Sequence, residues 1–223
     1  MNQIICTPKT NIEIPNVNYK KFKIYKIFFY ILILTSFSLS IYYIFHRFEI
    51  YNTEKISKKL LNDFNITSIY NTNVNYTSNF VSNDILLEKY ENVSGYVIGI
   101  IEVKKLNIVY PILSKVNKEF LKISTCRFYG PPPNQIGNLC IAAHNYKNNT
   151  FFSNLSNLIN GDIITIYDTS GRSLDYIVYD VYKTHAKDTK CMNQNTHNKK
   201  IITLVTCDSI DNNFRTIVKA KEI

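Results

Sequence analysis

The sequence predicts an all-β domain, a sandwich or barrel, carried on a single N-terminal membrane-spanning helix. Three observations predict it. From Ser94 onward, short β-branched runs alternate with turn residues, the texture of many short strands. Residues 27–45 (IFFYILILTSFSLSIYYIF) contain no charge, glycine or proline. The formal net charge of +9 is also unevenly spread: residues 1–47 carry six basic side chains against Glu13, and the remaining 176 residues carry 20 basic and 16 acidic ones. Six glycines and six prolines among 223 residues exclude a collagen-like or Gly-rich disordered chain. Five cysteines are too few for a disulfide-built miniprotein, and their number is odd.

Residues 1–26 form a basic tail in which Lys20, Lys21, Lys23 and Lys26 crowd the entry to the apolar run. That run, 27–45, is about 28 Å long as a helix at 1.5 Å per residue, close to the roughly 30 Å hydrocarbon core. Tyr30, Tyr42 and Tyr43 lie near its ends, where amphipathic rings favour the interface. A buried core helix fits poorly because no face is polar. A cleaved signal peptide fits poorly because Ile41–Arg47 is bulky where a cleavage site needs small residues. The lysines on one side and only Arg47 on the other predict a single-pass cell-membrane protein, with its N-terminus cytoplasmic and the chain after the span extracellular.

Residues 46–93 read as an extracellular stalk. Within it Glu54–Phe64 places Ile56, Leu60, Leu61 and Phe64 at helical spacing, a short amphipathic helix. Asn65–Asn83 is polar and irregular, a stalk or an ordered wrap against the domain.

The domain proper is expected over 94–223. Tyr96–Val103 and Asn107–Leu113 predict two strands separated by Lys104-Lys105, and Asn138–Ala143 (NLCIAA) a third. Pro131-Pro132-Pro133 cannot occupy a central strand, so Gly130–Gly137 is a stiff extended loop. Thr150–Leu158 puts Phe151, Phe152, Leu155 and Leu158 on one helical face. Ile163–Tyr167 and the alternating Leu174–Val181 predict strands on either side of Ser170-Gly171. Lys183–Lys200 is a polar loop long enough to have a function, and Ile201–Thr206 and Phe214–Ala220 close the series.

Nucleophilic catalysis needs an ionisable nucleophile, a proton carrier and a donor for the developing oxyanion. Cys207 ends a predicted strand, which presents its thiol to solvent. Arg215 starts the returning strand eight residues on, so a hairpin brings it beside Cys207. His144 also ends a strand and is followed by polar residues. Each has a plainer reading: a buried structural cysteine, a hydrogen-bonded surface histidine, a charge on an edge strand.

These residues carry a resemblance. Thr203–Cys207 (TLVTC) followed by Arg215 is similar to the TLxTC…R signature of sortases, membrane-anchored cysteine transpeptidases of Gram-positive bacteria. Gly137–Tyr146 (GNLCIAAHNY) resembles the segment around the family's histidine, with Ala143 where glycine is common, and Ile98–Pro111 resembles its first strand pair. The resemblance implies a closed eight-stranded β-barrel with a few short helices. It implies that Cys207 attacks the carbonyl after the threonine of a C-terminal sorting motif, giving a thioacyl-enzyme. His144 then protonates the leaving amine and activates an incoming one, from peptidoglycan precursor or a pilin lysine. Arg215 hydrogen-bonds the substrate backbone or the oxyanion. Thr206 and Asn145 are expected on the substrate or oxyanion side. The partners implied are the sorting-signal peptide of a secreted surface protein and an amine acceptor, with no cofactor.

Other chemistries fit less well. Papain-like peptidases place the cysteine before the histidine, whereas His144 precedes Cys207 by 63 residues, and the SHG…C signature of L,D-transpeptidases is not found. No C-x₂-C pair exists, and His185 and His197 lack ligand spacing, so no metal is expected. Nucleic-acid binding asks for a strongly basic face, which 20 basic against 16 acidic residues does not supply. Cys140 is expected in the core, and a disulfide between two of Cys126, Cys140 and Cys191 is compatible with the extracellular location without being required. The loop Lys183–Lys200 is shorter than class B sortases usually carry, which favours a class A-, D- or E-like enzyme. The chain has no tryptophan and no Asp-Pro-Trp-type lid motif, which favours wall anchoring over a pilin-polymerising sortase. The reading from a different class is a non-catalytic membrane-anchored β-domain for adhesion or envelope assembly.

Overall fold

The computed structural model describes residues 19–73, 95–146 and 149–223. The basic tail as far as residue 18, with Cys6, and residues 74–94 lie outside the described residues. The chain divides into two compact units, 1–49 and 50–223.

In the first unit the apolar run is helical. It belongs to helix α1, Tyr19–Asn73, and the aliphatic and aromatic side chains between Ile27 and Phe45 are exposed on all sides. The segment is long and apolar enough to cross a membrane. Two of its hydroxyls bond back within the helix: Thr35 donates to the Leu32 carbonyl and Ser40 to that of Ser36, both at 2.9 Å. The helix continues through the whole amphipathic segment and past Asn65, where irregular chain is expected. No glycine or proline lies between His46 and Asn73 to stop it.

The second unit is a closed eight-stranded barrel. Its strands are β1 (Val97–Val103), β2 (Ile108–Leu113), β3 (Thr125–Tyr129), β4 (Gly137–Ala142), β5 (Ile163–Asp168), β6 (Ser173–His185), β7 (Lys200–Cys207) and β8 (Phe214–Glu222). Their order around the barrel is β1-β2-β3-β4-β7-β8-β6-β5. The β2–β3 and β4–β7 pairs are parallel and the others antiparallel. Closure leaves no free edge, which an open sheet with strongly β-branched strands would otherwise expose. Alternation fills the interior with Ile101, Val103, Ile141, Ile166, Ile202, Leu204 and Val218. Phe151, Phe152, Leu155 and Leu158 join that core, but only Leu155–Asn157 takes up a helical turn, of 3₁₀ type.

A second apolar cluster lies under α1 and a short helix, α2 (Lys118–Ile123). Leu60, 2 % exposed, and Phe64 pack there with Val97, Ile100, Leu113, Phe120 and Ile123. The amphipathic part of α1 is therefore core-bearing. Helix α2 and strand β3 were not foreseen, although α2 carries a legible cap: Asn117 Oδ1 accepts the Phe120 N–H at 2.7 Å.

The largest difference in a strand boundary is at the end of β6. Strand β6 runs on to His185, because Lys183, Thr184 and His185 pair with Thr216, Arg215 and Phe214 of β8. The β6–β7 loop is therefore 186–199, and it is stitched to β4. Asn138 Nδ2 donates to the carbonyls of Cys191 and Asn193, Gln194 binds both backbone groups of Asn138, and Thr203 donates to Asn138 Oδ1. The proline loop after β3 starts at Gly130 with φ 84°, and a Cβ there would run into the Asn138 carbonyl.

Candidate active site

One rim of the barrel gathers the three residues singled out by spacing, and register explains how. Strand β7 is central, flanked by β4 in parallel and β8 antiparallel. Cys207 is its last residue, and its β8 partner is Arg215. On the other side Ala142 pairs with Val205, and the Ala143 N–H donates to the Val205 carbonyl at 3.2 Å. Continuing that register sets His144 abreast of Cys207. A cysteine thus stands with an imidazole on one neighbouring strand and a guanidinium on the other.

Two side-chain hydrogen bonds hold the His144 segment to the end of β7. The Thr206 hydroxyl donates to the Ala143 carbonyl at 2.8 Å, and Asn145 Nδ2 donates to the Cys207 carbonyl at 3.0 Å. Thr206 is 3 % exposed, its hydroxyl proton is committed to Ala143, and strand alternation turns its side chain away from the Cys207 face. These contacts tie the two strand ends together.

Among the described cysteines all are free thiols, and only Cys207 is not buried. Burial pushes Cys126 and Cys140 up to about 12 and raises Cys191, so those three are inert as nucleophiles. His144 is shifted downward from 6.5, first by burial and then by the ammonium of Lys122. Its imidazole is therefore mainly neutral at pH 7. The burial comes partly from an aromatic series: Tyr146 packs tilted against His144 at 4.8 Å and meets Phe151 edge-on at 5.7 Å, and Phe151 stacks on Tyr110 at 4.8 Å. Phe151 adopts φ 51°, unusual for a bulky residue, and its N–H donates to the Tyr110 hydroxyl at 3.3 Å. The His144 segment is fixed at both ends.

Arg215 Nη1 donates to the carbonyls of Asn212 and Phe214, at 2.7 and 2.8 Å. Those bonds use the two N–H groups of one nitrogen and leave three of the fork for another partner.

Asp208 was not foreseen. It follows Cys207 directly, and its buried carboxylate receives Lys183 Nζ at 2.6 Å and the N–H groups of Ile210 and Asp211 at 3.0 and 3.2 Å. These bonds, with Lys183 foremost, hold its carboxyl down to about 2. Its own N–H donates to the Phe214 carbonyl at 3.1 Å. Asp208 therefore organises the loop between Cys207 and Arg215. The sequence signal was its place immediately after the cysteine, ahead of a polar turn. Among the described residues no group of His, Cys, Asp and Glu is arranged to hold a metal ion.

The family model described as Sortase domain matches residues 101–223, more than half the chain. Solved structures share the fold. A Clostridium perfringens Sortase D5 transpeptidase is 28 % identical with a TM-score of 0.59, over 76 % of this chain and 99 % of that one. Sortase A from Corynebacterium diphtheriae, a lid mutant, is 24 % identical with a TM-score of 0.53, over 74 % and 94 %. Sortase C from Clostridium perfringens, solved with the C-terminal cell wall sorting motif, is 21 % identical with a TM-score of 0.52, over 74 % and 88 %. No curated protein matches.

Proposed function

This chain belongs to the sortase family and is a sortase transpeptidase, and we propose from that premise that Cys207, His144 and Arg215 are its catalytic residues. The observation that carries the assignment is the strand register that flanks a half-exposed Cys207 with His144, two residues past the end of β4, and with Arg215 on β8. The Cys207 sulfur attacks the carbonyl of the scissile peptide in the sorting motif of a secreted protein. The C–N bond breaks, His144 delivers a proton to the leaving amine, and a thioacyl-enzyme remains on Cys207. An incoming primary amine, from peptidoglycan precursor, then gives a proton to His144 as it attacks the thioester, and Cys207 is released as the new amide forms. The three uncommitted N–H groups of Arg215 serve the substrate carbonyl or the oxyanion, where a planar fork outperforms an ammonium.

Thr206 and Asn145 enter this reading as positioning residues. Their donors are engaged with Ala143 and Cys207, and what they contribute is the alignment of His144 with the sulfur. Asp208 and Lys183 do the same for the loop that carries the Arg215 contacts. The attacking form pairs a Cys207 thiolate with a His144 imidazolium, and burial with Lys122 shifts His144 downward, which disfavours that imidazolium.

The N-terminal helix serves as a single-pass membrane anchor, with the lysine-rich tail cytoplasmic and residues 46–223 outside the cell. A short β6–β7 loop and the likeness to a D5 transpeptidase support a class D-like enzyme that anchors surface proteins to the wall. The test is transpeptidation by the full chain in detergent micelles with a panel of sorting peptides and an amine acceptor. A thioester on Cys207, detected by mass spectrometry and lost with all activity in Cys207→Ala, is the expected result. Turnover that persists in Cys207→Ala overturns the assignment.

A further inference from the structure

A groove of about 370 Å³ separates the C-terminal part of α1 from β2, and it contains none of the residues assigned to transpeptidation. Glu54, Ser57, Lys58, Asn107, Tyr110 and Asn149 line it. Four features distinguish it from an ordinary surface crevice.

Ser57 is 1 % exposed, and its hydroxyl has no hydrogen-bond partner among the described residues. Buried hydroxyls are almost always paired, so an unpaired one lining a groove calls for a ligand group. Glu54 and Lys58 stand one helical turn apart, where opposite charges ordinarily meet. Among the described residues neither takes part in an ion pair. Tyr110 accepts the Phe151 N–H through its oxygen and keeps its own proton for donation. Asn107 and Asn149 both take left-handed backbone conformations at the rim, and Asn149 Oδ1 is already occupied by Asn154, which leaves its N–H₂ group to donate.

The inventory is one carboxylate acceptor against an ammonium, two hydroxyl donors and two amide donors. That set complements a ligand with one positive group and one negative group. The volume lies at the small end of ligand sites, the size of an amino acid rather than a nucleotide or a folded partner.

We propose that this groove binds an α-amino-acid head group, with Glu54 receiving the ammonium and Lys58, Ser57 and Tyr110 receiving the carboxylate. Two sources present that chemistry. One is a free amino acid. The other is the far end of the amine acceptor, and this source rests on the transpeptidation reading above. Tyr110, Phe151, Tyr146 and His144 form a continuous series of ring contacts. An acceptor seated in the groove is therefore a few extended residues, at about 3.3 Å each, from the active-site rim.

Binding is tested on the full chain in detergent micelles carrying Cys207→Ala, so that it is read without turnover. Saturation-transfer NMR with glycine is compared with acetate and methylamine, each of which has only one of the two charges. Glycine should bind saturably and at least tenfold more tightly than either. Glu54→Gln and Lys58→Met should each weaken it at least tenfold, and Ser57→Ala at least threefold, with helicity unchanged by circular dichroism. Glycine that fails to saturate, or binds no better than acetate and methylamine, overturns the proposal, as does binding indifferent to Glu54→Gln and Lys58→Met.

The source is then resolved with the active chain, using lysine triglycylated on its ε-nitrogen against triglycine amide. A lower KM for the lysine conjugate that rises at least tenfold in Glu54→Gln identifies the acceptor. Equal KM values, with glycine binding retained, identify a free amino acid. Glycine binding together with no thioester on Cys207 of the unsubstituted chain would leave this site standing and the transpeptidation reading overturned.

Discussion

Replacing Thr206 with valine isolates a single hydrogen bond between the two strands that carry Cys207 and His144. Valine keeps the shape of threonine and removes only the hydroxyl that donates to the Ala143 carbonyl at 2.8 Å. Thr206 is 3 % exposed, so water cannot replace the donor without opening the strand ends. Leaving a buried carbonyl short of its partner costs about 1–3 kcal/mol. For a unit of this size each kcal/mol lowers Tm by about 2–4 °C. The catalytic effect should be larger than the loss of folded protein explains, because Ala143 immediately precedes His144. A misplacement of about 1 Å at a reacting group costs on the order of a hundredfold, so kcat/KM for thioester formation should fall about 10- to 100-fold. Thr206→Ser is the control: it keeps the hydroxyl, loses one methyl worth about 1 kcal/mol, and should retain most of the activity while losing a similar share of stability. Single-turnover thioester formation by quenched-flow mass spectrometry, alongside thermal denaturation, separates the two readouts. A valine variant that loses stability and keeps its rate, or a serine variant as slow as valine, would refute the alignment role.

Further outcomes follow from charge and burial. The inflection of the kcat/KM profile that belongs to His144 should lie below pH 6.5, because burial and Lys122 lower it from its ordinary value. Tyr146→Ala, which uncovers the ring, should move that inflection to higher pH, and an inflection that stays put would show that Tyr146 does not control the imidazole. For Asp208, whose pKa is held below the ordinary 3.8 at about 2, the carboxylate contributes stability present in full above the ordinary value and lost as pH falls through about 2. The Tm gap between wild type and Asp208→Asn should therefore narrow as pH drops from 4 to 2, which acid titration by circular dichroism will check. Leu60→Ala should cost about 2–4 kcal/mol in the barrel-bearing unit, since Leu60 is buried in one cluster with Leu113 and Phe120. A neutral result in chemical denaturation would mean that α1 contributes nothing to the domain core.

Much of the barrel was legible because strands with one buried face alternate, as Leu174–Val181 does, and because β-branched runs such as YVIGIIEV are punctuated by turns. Its closure and its eight strands came from the likeness of TLVTC and GNLCIAAHNY to a family, and the strand order came from the structure. The parallel pairing of β4 with β7 joins residues about 60 apart, and no local pattern encodes it. Helix α2 was missed because six residues are too few for a periodicity to stand out, although Asn117 marks its start. The end of β6 was misread for a different reason. Lys183, Thr184 and His185 are polar on a wet rim, and composition alone resembles a loop.

The site divides the same way. Cys207, His144 and Arg215 were visible as candidates because each lies within two residues of a strand end, where a side chain faces both a core and solvent. The contacts of Thr206, Asn145, Asp208 and Lys183 were not visible, since each depends on which strand lies beside which. By itself the sequence determined the long apolar helix, seven of the eight strands and the candidate reactive groups, because these follow from hydropathy, periodicity and side-chain chemistry along the chain. Only the tertiary structure decided their alignment, the neutral state of His144 and the unpaired hydroxyl of Ser57. Burial and hydrogen-bond satisfaction belong to neighbours in space, and those neighbours are set by barrel closure.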